Sequence, residues 1–104
     1  MTYRVFLQPE AESGIHQSYD WLAEQSPTAA DDWLSRIEQA CNSLSELPER
    51  CPLAPESDFF DVPIRQLICC NHRILFTIDK SVVHVLHVRH AARSMLGEHV
   101  DRRE

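Results

Sequence analysis

The sequence contains no apolar run long enough to cross a membrane, and Met1–Leu7 lacks the basic and apolar regions of a signal peptide. We therefore expect a cytoplasmic protein with no membrane partner. No two cysteines have the C-x-x-C spacing that zinc sites use, so we expect no metal. We also expect no cofactor. The better interpretation is reduced thiols packed as small apolar side chains. They are Cys41, Cys51, Cys69 and Cys70.

Positive charge is scarce and unevenly distributed. The chain carries 16 acidic and 10 basic side chains, which gives a net charge of −6. Residues 1–57 hold ten acidic and three basic residues, whereas residues 58–104 hold six acidic and seven basic residues and five of the six histidines. The first half would repel nucleic acid, while the second half could meet a negatively charged partner.

Length and composition predict one folded unit. The 104 residues are 43% apolar and 25% charged, which is ordinary for a globular domain with its own core. We predict a single domain over residues 1–104, with residues 97–104 as a frayed tail.

The first elements are a short strand and a helix. Tyr3–Gln8 alternates like a strand, and Pro9 suits the first turn of a helix that we extend to Gln25. Gly14 lies inside this helix, where glycine costs about 1 kcal/mol relative to alanine.

A second helix follows almost at once. Ser26 can cap it, Pro27 fits its first position, and an apolar stripe runs from Ala30 to Leu47 before Pro48 closes it. Because the connection is so short, the two helices should pack as an antiparallel hairpin.

The last third predicts a β-meander. After a proline-rich loop, strands are expected at Ile64–Cys69, His72–Ile78 and Val82–Arg89, separated by tight turns. The order β-α-α-β-β-β predicts an α+β fold of two layers, in which the helical hairpin packs on a mainly antiparallel four-stranded sheet.

Strand alternation predicts which side chains face the helices. We expect one face of the meander to contact the hairpin through Ile74, Phe76, Ile78, Leu86 and Val88, packing on Trp33, Ile37, Cys41 and Leu44. The opposite, open face should carry Arg65, Arg73, His87 and Arg89. A cationic sheet face on an acidic protein makes these residues candidates for contacts with a partner.

The strand motifs resemble a known family. I-R-Q-L, H-R-I-L-F-T-I and V-L-H-V-R-H-A-A-R, in this order after a helical hairpin, resemble the RelE/ParE superfamily of bacterial toxins over nearly the whole chain. The resemblance implies the toxin of a type II toxin–antitoxin module, the class linked to plasmid stabilisation and stress response. It also implies a hetero-oligomer with a small cognate antitoxin, and pairing of the N-terminal strand with the last strand.

The family has two arms that differ in chemistry. The RelE arm cuts mRNA on the ribosome without metal, which would make Arg73 a phosphate clamp and His90 an acid or base. The ParE arm binds and poisons DNA gyrase without being a nuclease. The pattern V-x-H-x-x-R at Val88–Arg93 is similar to the ParE arm, whereas the RelE arginine and tyrosine positions hold Ala91 and Gly97.

We therefore predict a gyrase-binding toxin that is not an enzyme. Its antitoxin and target would be contacted by Arg65, Arg73, His87, Arg89 and Arg93. Two alternatives remain: a metal-independent endoribonuclease of ribosome-bound mRNA that uses His90 and Arg73, and an inactive relative that only binds antitoxin.

Overall fold

The computed structural model describes residues 2–91, which form four strands and two α-helices in the predicted order. The elements are β1 (Arg4–Leu7), α1 (Pro9–Gln25), α2 (Pro27–Ser43), β2 (Arg65–Cys69), β3 (His72–Asp79) and β4 (Val82–His90), with short 3₁₀ helices at Pro48–Arg50 and Pro55–Phe59. The strand order is β1-β4-β3-β2, where β1 runs parallel to β4 and the other pairs are antiparallel. The predicted α+β fold and the pairing of the first strand with the last are confirmed.

Within residues 2–91, neither α-helix combines the length and apolarity that spanning a membrane requires. The predicted frayed tail, Arg93 and Gly97 lie outside the described residues.

The helices begin where the local signals place them, but α2 ends early. Ser26 caps α2, its Oγ accepting a hydrogen bond from the Ala29 N–H at 3.2 Å. The predicted extension of this helix to Leu47 is wrong, because α2 ends at Ser43. The N–H of Tyr3 donates to the carbonyl of Ser45 at 2.8 Å, so the segment after the helix runs beside the N-terminal strand instead.

A β-bulge in β4 changes the predicted faces of the sheet. Leu75 pairs with His87, and the next residue of β3, Phe76, pairs with Val85, so Leu86 has no partner in register. The extra residue shifts the alternation, which turns Val85 toward the helices and packs Leu86 on the other side. The prediction that Leu86 faces the hairpin is therefore wrong.

The sheet is covered on both faces. The helix-side core consists of Ala11, Ile15, Trp33, Ile37, Cys41, Leu44, Cys51, Ile74, Phe76, Val83, Val85 and Val88, with Ile78 packed at its edge. Apart from Leu86, this confirms the predicted packing of the meander on the hairpin. The opposite face, here called the loop face, carries Leu75 against Ala54 and Ile64 of the connection between α2 and β2. The predicted open face is thus partly closed by this loop.

Gly14 allows α1 to lie directly on a strand. The first strand covers β4 only as far as Val85, and α1 packs against the part of β4 that follows. A Cβ atom at Gly14 would lie 2.4 Å from the carbonyl oxygen of Val88, a backbone atom that no side-chain rotation can move. The helix therefore tolerates its unfavourable glycine because the close approach requires it.

Gly14→Ala should destabilise the protein even though alanine is the better helix former. The propensity gain of about 1 kcal/mol is outweighed by separating the helix from β4, and we expect a net loss of roughly 1–3 kcal/mol. Urea unfolding would measure it, with Ser13→Ala on an exposed position of the same helix as the control. Equal or higher stability of Gly14→Ala would contradict the observed packing.

Candidate partner-binding groove

A groove of about 890 Å³ opens between the helical hairpin and one end of the sheet. Its walls come from α1, the first turns of α2, the turn between β2 and β3, and the end of β4. They include Gly14, Gln17, Ser18, Trp21, Leu22, Ala29, Trp33, Cys70, Asn71, His72, Val88, Arg89 and His90. A concave surface of this size, rich in apolar and aromatic groups with a few polar ones, is typical of a binding site.

His72 forms the floor of the groove and joins both helices to the sheet. Its Nε2 lies 3.0 Å from the hydroxyl of Ser18 on α1, and its Nδ1 lies 3.3 Å from the indole nitrogen of Trp33 on α2. The same Nδ1 is 2.9 Å from the carbonyl oxygen of Cys70. Since a ring nitrogen either donates or accepts, Nδ1 can donate to Cys70 or accept from Trp33, but not both at once.

The surroundings of the His72 ring favour its neutral form. Burial lowers the pKa of His72 below the usual 6.5, and nearby His90 lowers it further, while the carbonyl of Cys70 acts in the opposite direction. The two histidine rings meet edge to face, with centroids 5.2 Å apart. His90 is exposed, so the pair presents one buried and one accessible imidazole at the groove.

Trp21 places a large, exposed apolar side chain at the rim of the groove. It is 59% exposed, on a turn of α1 that lines the groove. Sequence reasoning did not select it, although an aromatic residue outside the buried stripe of an amphipathic helix is a recognisable sign of a contact surface. His72 was also missed as a groove residue, because only the folded chain shows its contacts with Ser18 and Trp33.

Arg73 is buried on the loop face, away from the groove. It is 8% exposed and forms an ion pair, through Nη2, with Oε1 of Glu56, which is fully buried. Its Nε also donates to the side chain of Gln66 at 3.1 Å. The interpretation that fits these contacts is structural, because the pair ties the loop to the sheet.

The other predicted site residues do not converge on one surface. Arg65 is on the helix side, opposite Phe76, and its Nη1 donates to the carbonyl of Cys51 at 2.7 Å, so its placement on the open face is wrong. His87 and Arg89 share the loop face with Leu75 and Arg73, as predicted.

Of the predicted site residues within the described range 2–91, two reach the groove. His90 lies at the floor of the groove, where its ring contacts that of His72, and Arg89 lies at the edge of the groove.

His87 lies on the loop face. Burial lowers its pKa, and the neighbouring charge of Arg89 lowers it further. Arg93 lies outside the described residues.

The comparisons with known proteins agree on the family. The sequence model for the ParE toxin of the type II toxin–antitoxin system parDE matches residues 5–95. Toxin RelE2 of Caulobacter vibrioides is 32% identical over 75 residues, covering 71% of this chain and 78% of the relative. A solved structure, described as the chromosomal ParDE TA system from P. aeruginosa, superposes with a TM-score of 0.69 at 15% identity, covering 86% of this chain and 96% of that one.

The fold and the groove thus belong to a type II toxin of the RelE/ParE superfamily. The chain is a member of the ParE toxin family, and its family implies an antitoxin as partner. The resemblance inferred from the strand motifs is confirmed.

The first prediction from the site concerns the buried ion pair. Glu56→Gln keeps the side-chain shape but leaves the Arg73 charge without its counter-charge, which should lower the free energy of unfolding by about 3–5 kcal/mol. Asp58→Asn, an exposed acid in the same 3₁₀ helix, should change it by less than about 0.5 kcal/mol. Urea unfolding of both variants at neutral pH tests this, and equal effects would refute a structural role for the pair.

The second prediction concerns pH. Because the pKa of His72 is lowered in the folded state, the unfolded chain binds a proton first as the pH falls below 6.5, so stability should decrease there. The free energy of unfolding should fall as the pH is lowered from about 7.5 to about 5.5. His72→Asn should reduce this fall. The control His16→Asn, at an exposed position of α1, should leave it unchanged. Identical pH dependence in all three proteins would exclude His72 as a source. The lowered pKa of His87 should add to this fall in the same direction.

Proposed function

We propose that this toxin acts by binding its target, in the gyrase-poisoning manner of the ParE arm, and does not cleave RNA. The main support for this proposal is that Arg73 is buried and ion-paired. The nuclease interpretation requires that side chain to hold a phosphate, yet it is buried and paired with Glu56. A cation stabilises the developing charge of a cleaved phosphate only when it can reach it.

The charge of the chain supports the same conclusion. Its net charge is −6, and affinity for RNA comes largely from cationic side chains that neutralise phosphates. Arg65 is also engaged, with its guanidinium bonded to the Cys51 carbonyl. Arg36 forms an ion pair with Asp32 along α2. Arg36, Arg65 and Arg73 are thus each engaged by groups of the protein itself.

We further propose that the groove receives the antitoxin. An amphipathic helix or extended segment could place apolar side chains against Trp21 and the aromatic floor, as peptides do in hydrophobic grooves. An antitoxin segment that folds on binding would cover a large surface with a short peptide.

RNA cleavage is the second candidate function, and His90 is the observation in its favour. It is exposed in the groove beside a second histidine, which suits proton transfer to a bound substrate. The relative from Caulobacter vibrioides is moreover named as a RelE toxin.

Two assays with purified protein separate the candidates. We expect the toxin to inhibit DNA supercoiling by gyrase and to leave transcripts on programmed ribosomes intact. His90→Ala should inhibit gyrase within a few fold of the unchanged protein, because no chemical step depends on the imidazole.

The opposite pattern would overturn the proposal. It would be cleavage of ribosome-bound transcripts that His90→Ala slows by about 10²-fold or more while His16→Ala, the exposed control on α1, does not. Inactivity in both assays, with an intact antitoxin complex, would identify an inactive relative.

A further inference from the structure

Two adjacent thiols lie at the rim of the groove. Cys69 ends β2, Cys70 begins the turn to β3, and their sulfur atoms are 3.4 Å apart. Both are free thiols, and Cys70 is exposed and lines the groove. The expectation that the cysteines pack as small apolar side chains is therefore wrong for Cys70, which is exposed. A disulfide bond is about 2.05 Å long, so a small movement would join the two sulfurs.

The remaining cysteines provide an internal contrast. Cys41 and Cys51 are in the helix-side core, at 2% and 4% exposure. Burial, above all, raises the pKa of Cys41 to about 11, which keeps that thiol protonated and unreactive. Burial also raises the pKa of Cys69, and its hydrogen bond with Cys70 raises it further. An oxidant from solvent therefore meets Cys70 first.

The geometry of the turn makes a bond between these thiols easily reversible. Consecutive Cα atoms are about 3.8 Å apart, below the range of about 4.4–6.8 Å that unstrained disulfides prefer. Cys70 and Asn71 both have positive φ, at 55° and 62°, a sparsely populated backbone conformation for residues other than glycine, so the turn is already strained. Strained and exposed disulfides are readily reduced, and they serve as labile rather than structural bonds.

We propose that Cys69 and Cys70 form a reversible dithiol site that hydrogen peroxide oxidises to a disulfide between neighbouring residues. The Cys70 thiolate attacks one peroxide oxygen, the O–O bond breaks, and the departing hydroxide takes up a proton to become water. The sulfur of Cys69 then attacks the resulting Cys70 sulfenic acid. The S–S bond forms as the S–O bond breaks, and the second hydroxide leaves as water with the thiol proton of Cys69. Two thiols are oxidised, and one peroxide is reduced to two water molecules.

Formation of the disulfide between Cys69 and Cys70 should change contacts at the floor of the groove. The carbonyl of Cys70 is 2.9 Å from Nδ1 of His72, and the Cys69 thiol donates to the carbonyl of Arg36 on α2 at 3.8 Å. Drawing the sulfurs together displaces the side chain of Cys69 and the backbone of Cys70, and these two groups make the contacts with Arg36 and His72. Oxidation should therefore weaken antitoxin binding, a consequence that rests on the proposed role of the groove.

Trypsin places the relevant thiols in separate peptides. Residues 66–73 form one peptide that contains Cys69 and Cys70 and no other cysteine, whereas Cys41 and Cys51 fall in residues 37–50 and 51–65. Reduced protein is treated with a small excess of hydrogen peroxide, denatured, alkylated with iodoacetamide and digested. We expect the 66–73 peptide to be unalkylated and two hydrogen atoms lighter than its reduced form. Dithiothreitol should restore the reduced peptide. The control peptides 37–50 and 51–65 should be fully alkylated in the same digest.

Three results would overturn the dithiol proposal. They are complete alkylation of the 66–73 peptide after peroxide, sulfinic or sulfonic acid on Cys70 with Cys69 still alkylated, and a disulfide that links two chains. Cys70→Ser is the matched variant, since its serine keeps the size of the side chain but cannot form the bond.

Binding to the product of the adjacent antitoxin gene tests the consequence separately. We expect peroxide to weaken binding by roughly tenfold in the unchanged protein and to have no effect on Cys70→Ser. A disulfide that forms without changing the affinity would overturn the coupling to the groove. Absence of any antitoxin complex in the reduced state would overturn the proposed role of the groove, while the peptide masses decide the dithiol chemistry independently.

Discussion

The third strand must be buried on both faces, and much of the structure follows from this constraint. His72, Arg73, Ile74, Leu75 and Phe76 are all buried in succession. The helical hairpin can cover only one face of a strand, so the connection between α2 and β2 has to cover the other with Ala54 and Ile64. Burying Arg73 on that side in turn requires a counter-charge, which Glu56 supplies from the same connection.

This arrangement gives the arginines of the β-meander a structural role. A row of arginines on an acidic protein suggests a surface for a negatively charged ligand, yet Arg73 pairs with Glu56 and Arg65 binds a backbone carbonyl. Both therefore hold the long connection against the sheet. The accessible chemistry lies instead on the helix side, where Trp21, His90 and Cys70 surround the groove.

The groove joins features that the linear sequence keeps apart. His72 contacts Ser18 of α1, Trp33 of α2 and the backbone of Cys70, so the two helices and the turn of the sheet meet at one imidazole. A change in the charge of His72 or in the bonding of Cys70 acts on the same floor. Because these groups share hydrogen bonds, the effects of substituting them should not be additive.

Short-range signals in the sequence determined the elements and their order. Pro9, Ser26 and Pro27 mark the starts of the helices, and the turn at Cys70 separates two strands, because caps, prolines and turn residues act on their own backbone. The period-two pattern was also sufficient to place Ile74 and Phe76 in the helix-side core. The fold class and the family resemblance were inferred from these features.

Long-range contacts decided the rest. The bulge at Leu86 depends on how β4 meets β3, the glycine at position 14 is needed only because α1 lies on Val88, and the partner of Arg73 comes from seventeen residues away in the chain. No local propensity encodes such meetings, since each exists only when distant segments are packed together. The sequence alone therefore determined which elements form, and the tertiary structure decided which side chains they bury, pair or expose.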